Sequence, residues 1–178
     1  MIVTATSVDG VLIIEPKVFG DDRGFFLETF QAERYKKALN VNFDFVQDNH
    51  SRSAKGVLRG LHYQKERPQG KLVRVVKGEV FDVAVDVRRG SSTFGHWVGV
   101  TLTEENKKQL WVPPGMAHGF VVLSESADFE YKCTDYYDPD DECCLAWDDK
   151  EVAIDWPVEQ PVLSEKDRLG KTLKELFP

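Results

Sequence analysis

The chain has 178 residues, 42% of them apolar and 30% charged, and a net charge of −7. That is enough chain for one domain, residues 1–178, with a sizeable core. The negative balance argues against nucleic acid or an anionic membrane surface as a general partner, while leaving room for a small anion held by local cations.

The N-terminal stretch MIVTATSVDGVLIIEP lacks the basic and apolar regions of a signal peptide, and no apolar run is long enough to span a membrane. Gln31–Leu39 is a short helix candidate. Val57–Gln64 (VLRGLHYQ) reads as a buried strand that carries Arg59 and His62, residues that need partners inside a sheet. Lys71–Val76 and Glu79–Val87 flank a turn at Lys77-Gly78 and form a hairpin. In the second of these strands Phe81, Val83, Val85 and Val87 share an apolar face, and Val80, Asp82, Ala84 and Asp86 share the other. Further strands are expected at His96–Leu102, Gln109–Val112, Gly119–Leu123 and Phe129–Tyr137. A second helix is expected from Ser164, where Ser-Glu-Lys-Asp has a capping-box pattern and Leu169, Leu173 and Leu176 share one face. Cys133, Cys143 and Cys144 fit neither a disulfide framework nor a CxxC zinc site, and read as reduced thiols of a cytoplasmic protein.

Many short strands with helices near the ends predict a mainly β fold, an antiparallel jelly-roll barrel with short peripheral helices. A barrel has a lumen. Gln47, Asn49, Arg59, His62 and Lys71 cluster in one span, and each left unsatisfied inside would cost about 1–3 kcal/mol. A polar, ligand-filled interior explains the set better than a solvated outer face explains each member. Arg59 and His62 are an odd number apart, so both reach one pocket only if the strand is irregular, and Gly60 offers a bulge. Pro113–His118 (PPGMAH) has the P-x-G-x-x-H pattern of cupin barrels. Gln64 stands where the cupin metal set needs a second histidine, which argues against a metal-dependent cupin.

The segments EPKVFGDDRGFFLETF, FVQDNHSRS, VLRGLHYQ, QGKLVRVVKGEVFDVAVDVR, FGHWVGVTL, LWVPPGMAHGFVVLSE, YKCTDYY and LSEKD, in that order, closely resemble the dTDP-4-dehydrorhamnose 3,5-epimerase family. The resemblance runs from about residue 2 to residue 167 and implies a cupin-type jelly roll acting as a homodimer, without metal or cofactor, on a dTDP-sugar. It implies His62 as base, Asp167 as its orienting carboxylate, Tyr131 as acid on the opposite face and Lys71 as stabiliser of the enolate. It places Arg23 and Arg59 near the diphosphate and Tyr137, with Phe26, on the thymine. Glu28, Gln47, Asn49, His118, Glu142 and Lys166 match substrate-binding positions. Taken alone, Asp167 is equally a capping-box residue, Tyr131 a core aromatic, Lys71 a strand-end lysine, and Glu28 and Glu142 surface carboxylates. A relative inverting only one carbon and a non-catalytic sugar-nucleotide binder are the competing readings.

Overall fold

The computed structural model describes residues 1–178 and is built mainly of antiparallel strands. In chain order these are β1 (Ile2–Ala5), β2 (Leu12–Glu15), β3 (Val18–Asp21), β4 (Gly24–Leu27), β5 (Gln47–Ala54), β6 (Leu58–Gln64), β7 (Lys71–Lys77), β8 (Glu79–Asp86), β9 (Trp97–Thr103), β10 (Gln109–Val112), β11 (Met116–Val122), β12 (Ser126–Cys133) and β13 (Glu142–Cys144). The helices are α1 (Ala32–Leu39), α2 (Glu165–Arg168) and α3 (Leu173–Leu176). None is long and apolar enough to cross a membrane.

Two sheets face each other, one ordered β1-β2-β10-β7-β12-β5 and the other β13-β6-β11-β8-β9. Between them lies the main core, to which both contribute: Val73, Val75, Leu110 and Phe129 from the first, Val80, Ala84, Leu102 and Phe120 from the second. The ring of Phe129 stacks on that of Phe120 with centroids 4.1 Å apart, joining the sheets. This is the expected mainly β jelly-roll architecture. The β3–β4 hairpin stands apart as a two-stranded sheet.

Period two is visible in β8, but both of its faces are buried. Phe81, Val83, Val85 and Val87 pack outward under the C-terminal segment, with Leu145, Val152 and Leu173, while Val80 and Ala84 face the core. Asp82 and Asp86, which suggested a wetter face, have no exposed surface. Asp86 is held by hydrogen bonds from Arg88, Ser91 and Thr93. Burial pushes its carboxyl up, but those donors outweigh it and hold the group at about 2.

The C-terminal helix departs from expectation. It is two short helices, and Leu169 is exposed while Leu173 is buried. Gly170 interrupts it by packing on Ala146, where a Cβ would come within 2.9 Å of the Ala146 Cα. The chain is pinned there by Lys171 N–H donating to Cys144 O and Ala146 N–H donating to Lys171 O. β12 also ends at Cys133, short of the expected Tyr137, and β11 begins at Met116, so His118 lies within a strand.

Candidate active site

β6 supplies the imidazole from one wall, and β7 and β12 supply Lys71 and Tyr131 from the facing wall. The three side chains line two adjoining lobes of one cavity, of about 350 and 300 Å³. The first lobe also takes in Gln47, Asn49, Tyr137 and Glu142, and the second takes in Arg59, His118, Lys166 and Asp167.

The odd spacing of Arg59 and His62 is resolved at Gly60. Along β11, His118 pairs with His62 and Phe120 with Arg59, two steps against three, so β6 bulges by one residue. Gly60 has φ of +119°, and a Cβ there would meet Gly119 Cα and His118 O at 2.6 Å. Only glycine fits that approach. The bulge turns Arg59 and His62 to the same cavity.

His62 Nε2 lies 2.7 Å from Asp167 Oδ1. Asp167 is buried at the N-terminus of α2, where Ser164 Oγ accepts from its amide and donates to its Oδ2 at 2.6 Å. The cap and the dyad therefore coexist. Burial pushes the Asp167 carboxyl up, but hydrogen bonds from His62, Ser164 and the Gly60 amide hold it below the usual carboxylate range. An ionised Asp167 accepts the Nε2 hydrogen and leaves the Nδ1 lone pair free. Glu142 Oε1 lies 3.6 Å from that Nδ1. Far from a surface carboxylate, Glu142 has a largely buried side chain that also accepts from Tyr137 and pairs with Lys166.

Burial raises the Tyr131 phenol above its ordinary value against the pull of Arg59, so the hydroxyl stays protonated at neutral pH. Burial also lowers the Lys71 ammonium, opposed by Cys133 and Asp82. Neither Arg59 nor Lys71 forms an ion pair within the chain; Arg59 Nε donates to Ser53 Oγ at 2.9 Å and Lys71 Nζ to His62 O at 3.5 Å. Two cations without carboxylate partners, in a chain of charge −7, suit an anionic ligand. Tyr137 N–H donates to Gln47 Oε1, whose amide donates to Asn49 Oδ1, so three expected binding residues form one chain of hydrogen bonds.

Arg23, Phe26 and Glu28 do not join this cavity. Arg23 pairs with Asp21 at the tip of the β3–β4 hairpin, Phe26 is 69% exposed on it, and Glu28 pairs with Arg34. The structure also adds residues that sequence reasoning passed over. Asp82 accepts from His118 Nε2 at 3.0 Å, and burial raises its carboxyl against the pull of His118 and Lys71. It sits on the lumen side of an alternating strand, and its placement there was the available signal. Cys144, paired across the sheet with His62, gave no signal of its own.

The family model described as dTDP-4-dehydrorhamnose 3,5-epimerase matches residues 5–175. A dTDP-4-dehydrorhamnose 3,5-epimerase of Pseudomonas aeruginosa is 58% identical, covering 97% of this chain and 96% of its own. A dTDP-4-dehydrorhamnose 3-epimerase of Streptomyces niveus is 38% identical, covering 94% of this chain and 82% of its own. Among solved structures, a 3,5-epimerase of Legionella pneumophila in complex with dTDP-4-keto-L-rhamnose superposes with a TM-score of 0.94 at 60% identity, covering 97% of this chain and 92% of that one.

Proposed function

The chain belongs to the dTDP-4-dehydrorhamnose 3,5-epimerase family, and from that premise we propose how its own residues carry the reaction. The enzyme inverts C3 and C5 of dTDP-4-dehydro-6-deoxy-D-glucose to give dTDP-4-dehydro-L-rhamnose for dTDP-L-rhamnose synthesis. The observation that carries the mechanism is one cavity with an Asp167-bound imidazole on one wall and the Tyr131 phenol on the other.

Each reacting carbon flanks the C4 ketone, so its proton is acidified. His62 Nδ1 takes that proton while Asp167 stabilises the imidazolium through Nε2–H. The charge that moves onto the C4 oxygen is met by the Lys71 ammonium, an interaction worth about 2.7–4 kcal/mol in a dry site. Tyr131 then protonates the carbon from the opposite face, which inverts it, and solvent returns both groups to their starting protonation. Repetition at the second carbon completes the reaction. Arg59 and Lys166 take the diphosphate end, Tyr137 stacks on the thymine, and His118 (its ring fixed by Asp82), Gln47, Asn49 and Glu142 hold the remaining polar groups. This route calls on no metal and no cofactor.

Phe19, Phe25 and Phe26 are all more than half exposed on the β3–β4 hairpin, an apolar surface of the kind that contacts a partner. The homodimer proposed on this basis carries the hairpin of each chain to the cavity of the other, so that Arg23 and Phe26 serve the partner's site, with Glu28 at the hairpin's base. The chain is read as a cytoplasmic single-domain enzyme. A test of the function is turnover of the keto sugar coupled to a reductase that consumes only the rhamnose-configured product. The 3-epimerase relative makes single inversion the competing outcome, and exclusive formation of a C3-inverted product would favour it.

A further inference from the structure

Cys144 takes no part in the chemistry above, yet it lies beside it. Its cross-strand pairing with His62 puts the two side chains on the same face of the sheet. Its Sγ, a ring nitrogen of His62 and a carboxylate oxygen of Asp167 all lie within 4.8 Å of one another. Thiol, imidazole and carboxylate are the donors that zinc takes, and around a tetrahedral ion they sit roughly 3.3–3.8 Å apart. Closing the set therefore asks the separations to change by at most about 1.5 Å, within the reach of side-chain torsions. Their backbones are already anchored: β13 pairs with β6 and is tied to Lys171, and α2 meets β6 through the Asp167–Gly60 contact. The adjoining cavity leaves room for a fourth ligand from water.

We propose that Cys144, His62 and Asp167 form a binding site for a soft divalent cation, Zn²⁺ being the best match to the donor set. The ion bonds to Cys144 Sγ, an Asp167 oxygen and His62 Nε2. The thiol proton leaves to solvent, and the Nε2 hydrogen moves by way of solvent to Nδ1, so the imidazole stays neutral. Nδ1–H then faces Glu142 Oε1, now 3.6 Å away, which supplies the outer carboxylate that a metal-bound histidine ordinarily finds. On the reading of His62 as base, occupancy inhibits: the lone pair that takes the substrate proton now carries hydrogen. That consequence rests on the proposed function, while binding does not.

The test is calorimetric titration of the full chain with Zn²⁺, absorption spectra with Co²⁺, and turnover in both metals, for the parent, Cys144→Ala, Cys144→Ser and the control Cys143→Ala. The expected result is one equivalent bound, a thiolate-to-cobalt charge-transfer band, and chelator-reversible inhibition. Both Cys144 variants should turn over normally, lose the band and need at least about tenfold more zinc for inhibition, while Cys143→Ala behaves as the parent. Absence of stoichiometric binding, or an undiminished affinity in the Cys144 variants, overturns the site. Binding through Cys144 with full turnover supports the site and instead overturns His62 as the base.

Discussion

Asp167 Oδ1 stands 2.7 Å from His62 Nε2, joining residues 105 apart in sequence. The carboxylate fixes the tautomer that leaves Nδ1 free and shares the charge once the ring is protonated. Asp167→Asn keeps the size and the Ser164 contact but removes that charge. The expected outcome is a kcat loss of about 10²–10⁴-fold with little change in affinity for dTDP, measured by steady-state kinetics and calorimetry. Because Asp167 is depressed in the folded state, its contribution to stability is complete above the ordinary carboxyl range and fades as pH falls through its folded value. The variant should therefore lose part of the parent's acid-limb change in Tm.

Lys71 predicts the alkaline side of the activity profile. Burial lowers its ammonium and raises the Tyr131 phenol, so Lys71 loses its proton first as pH climbs. The kcat profile should fall below the ordinary lysine value of about 10.4. Lys71→Arg, which stays charged, should move that limb upward, and Lys71→Met should lower kcat by about 100-fold or more where Lys71 is protonated, with the gap closing along the alkaline limb.

Gly60 is the hinge on which Arg59 and His62 reach one cavity. Alanine there brings a Cβ to 2.6 Å from two backbone atoms of β11, at a φ of +119°. Gly60→Ala should cost about 1–3 kcal/mol in denaturant unfolding. It should lower kcat as well, whereas Gly56→Ala, which has open space around it but a positive φ, should cost stability alone.

The proposed exchange of hairpins between two chains predicts complementation. Arg23→Ala and His62→Ala should each be nearly inactive alone. Mixed, unfolded and refolded together, they should recover about a quarter of parental activity, since half the dimers are hybrids with one intact site. Recovery of none would place Arg23 in its own chain's site, and full activity of Arg23→Ala alone would place it outside the reaction.

The barrel was legible because its strands alternate, and the lumen because Gln47, Asn49, Arg59, His62 and Lys71 are polar where a core should be apolar. The Gly60 bulge was legible from parity alone. Other features depended on packing that no local pattern carries. β5, with the polar sequence QDNHSRSA, has no apolar alternation from which its bounds could be read: its outer residues are matched by ion pairs such as Arg52–Asp128 and Lys132–Asp48 with the neighbouring β12. The leucine spacing after Ser164 predicted one helix, but Gly170 docks on Ala146 and breaks it. Asp167 looked like the last residue of a capping box, and its amide does donate to the Ser164 cap; that its carboxylate also reaches β6 is a tertiary fact.

On the proposed route His62 and Tyr131 act on one sugar ring from opposing walls, and isotope exchange in deuterated water separates their roles. Tyr131→Phe should still wash deuterium into the keto sugar through His62, without inversion, while His62→Ala should neither exchange nor invert. Inversion at the parental rate in Tyr131→Phe, or exchange undiminished in His62→Ala, would contradict the account.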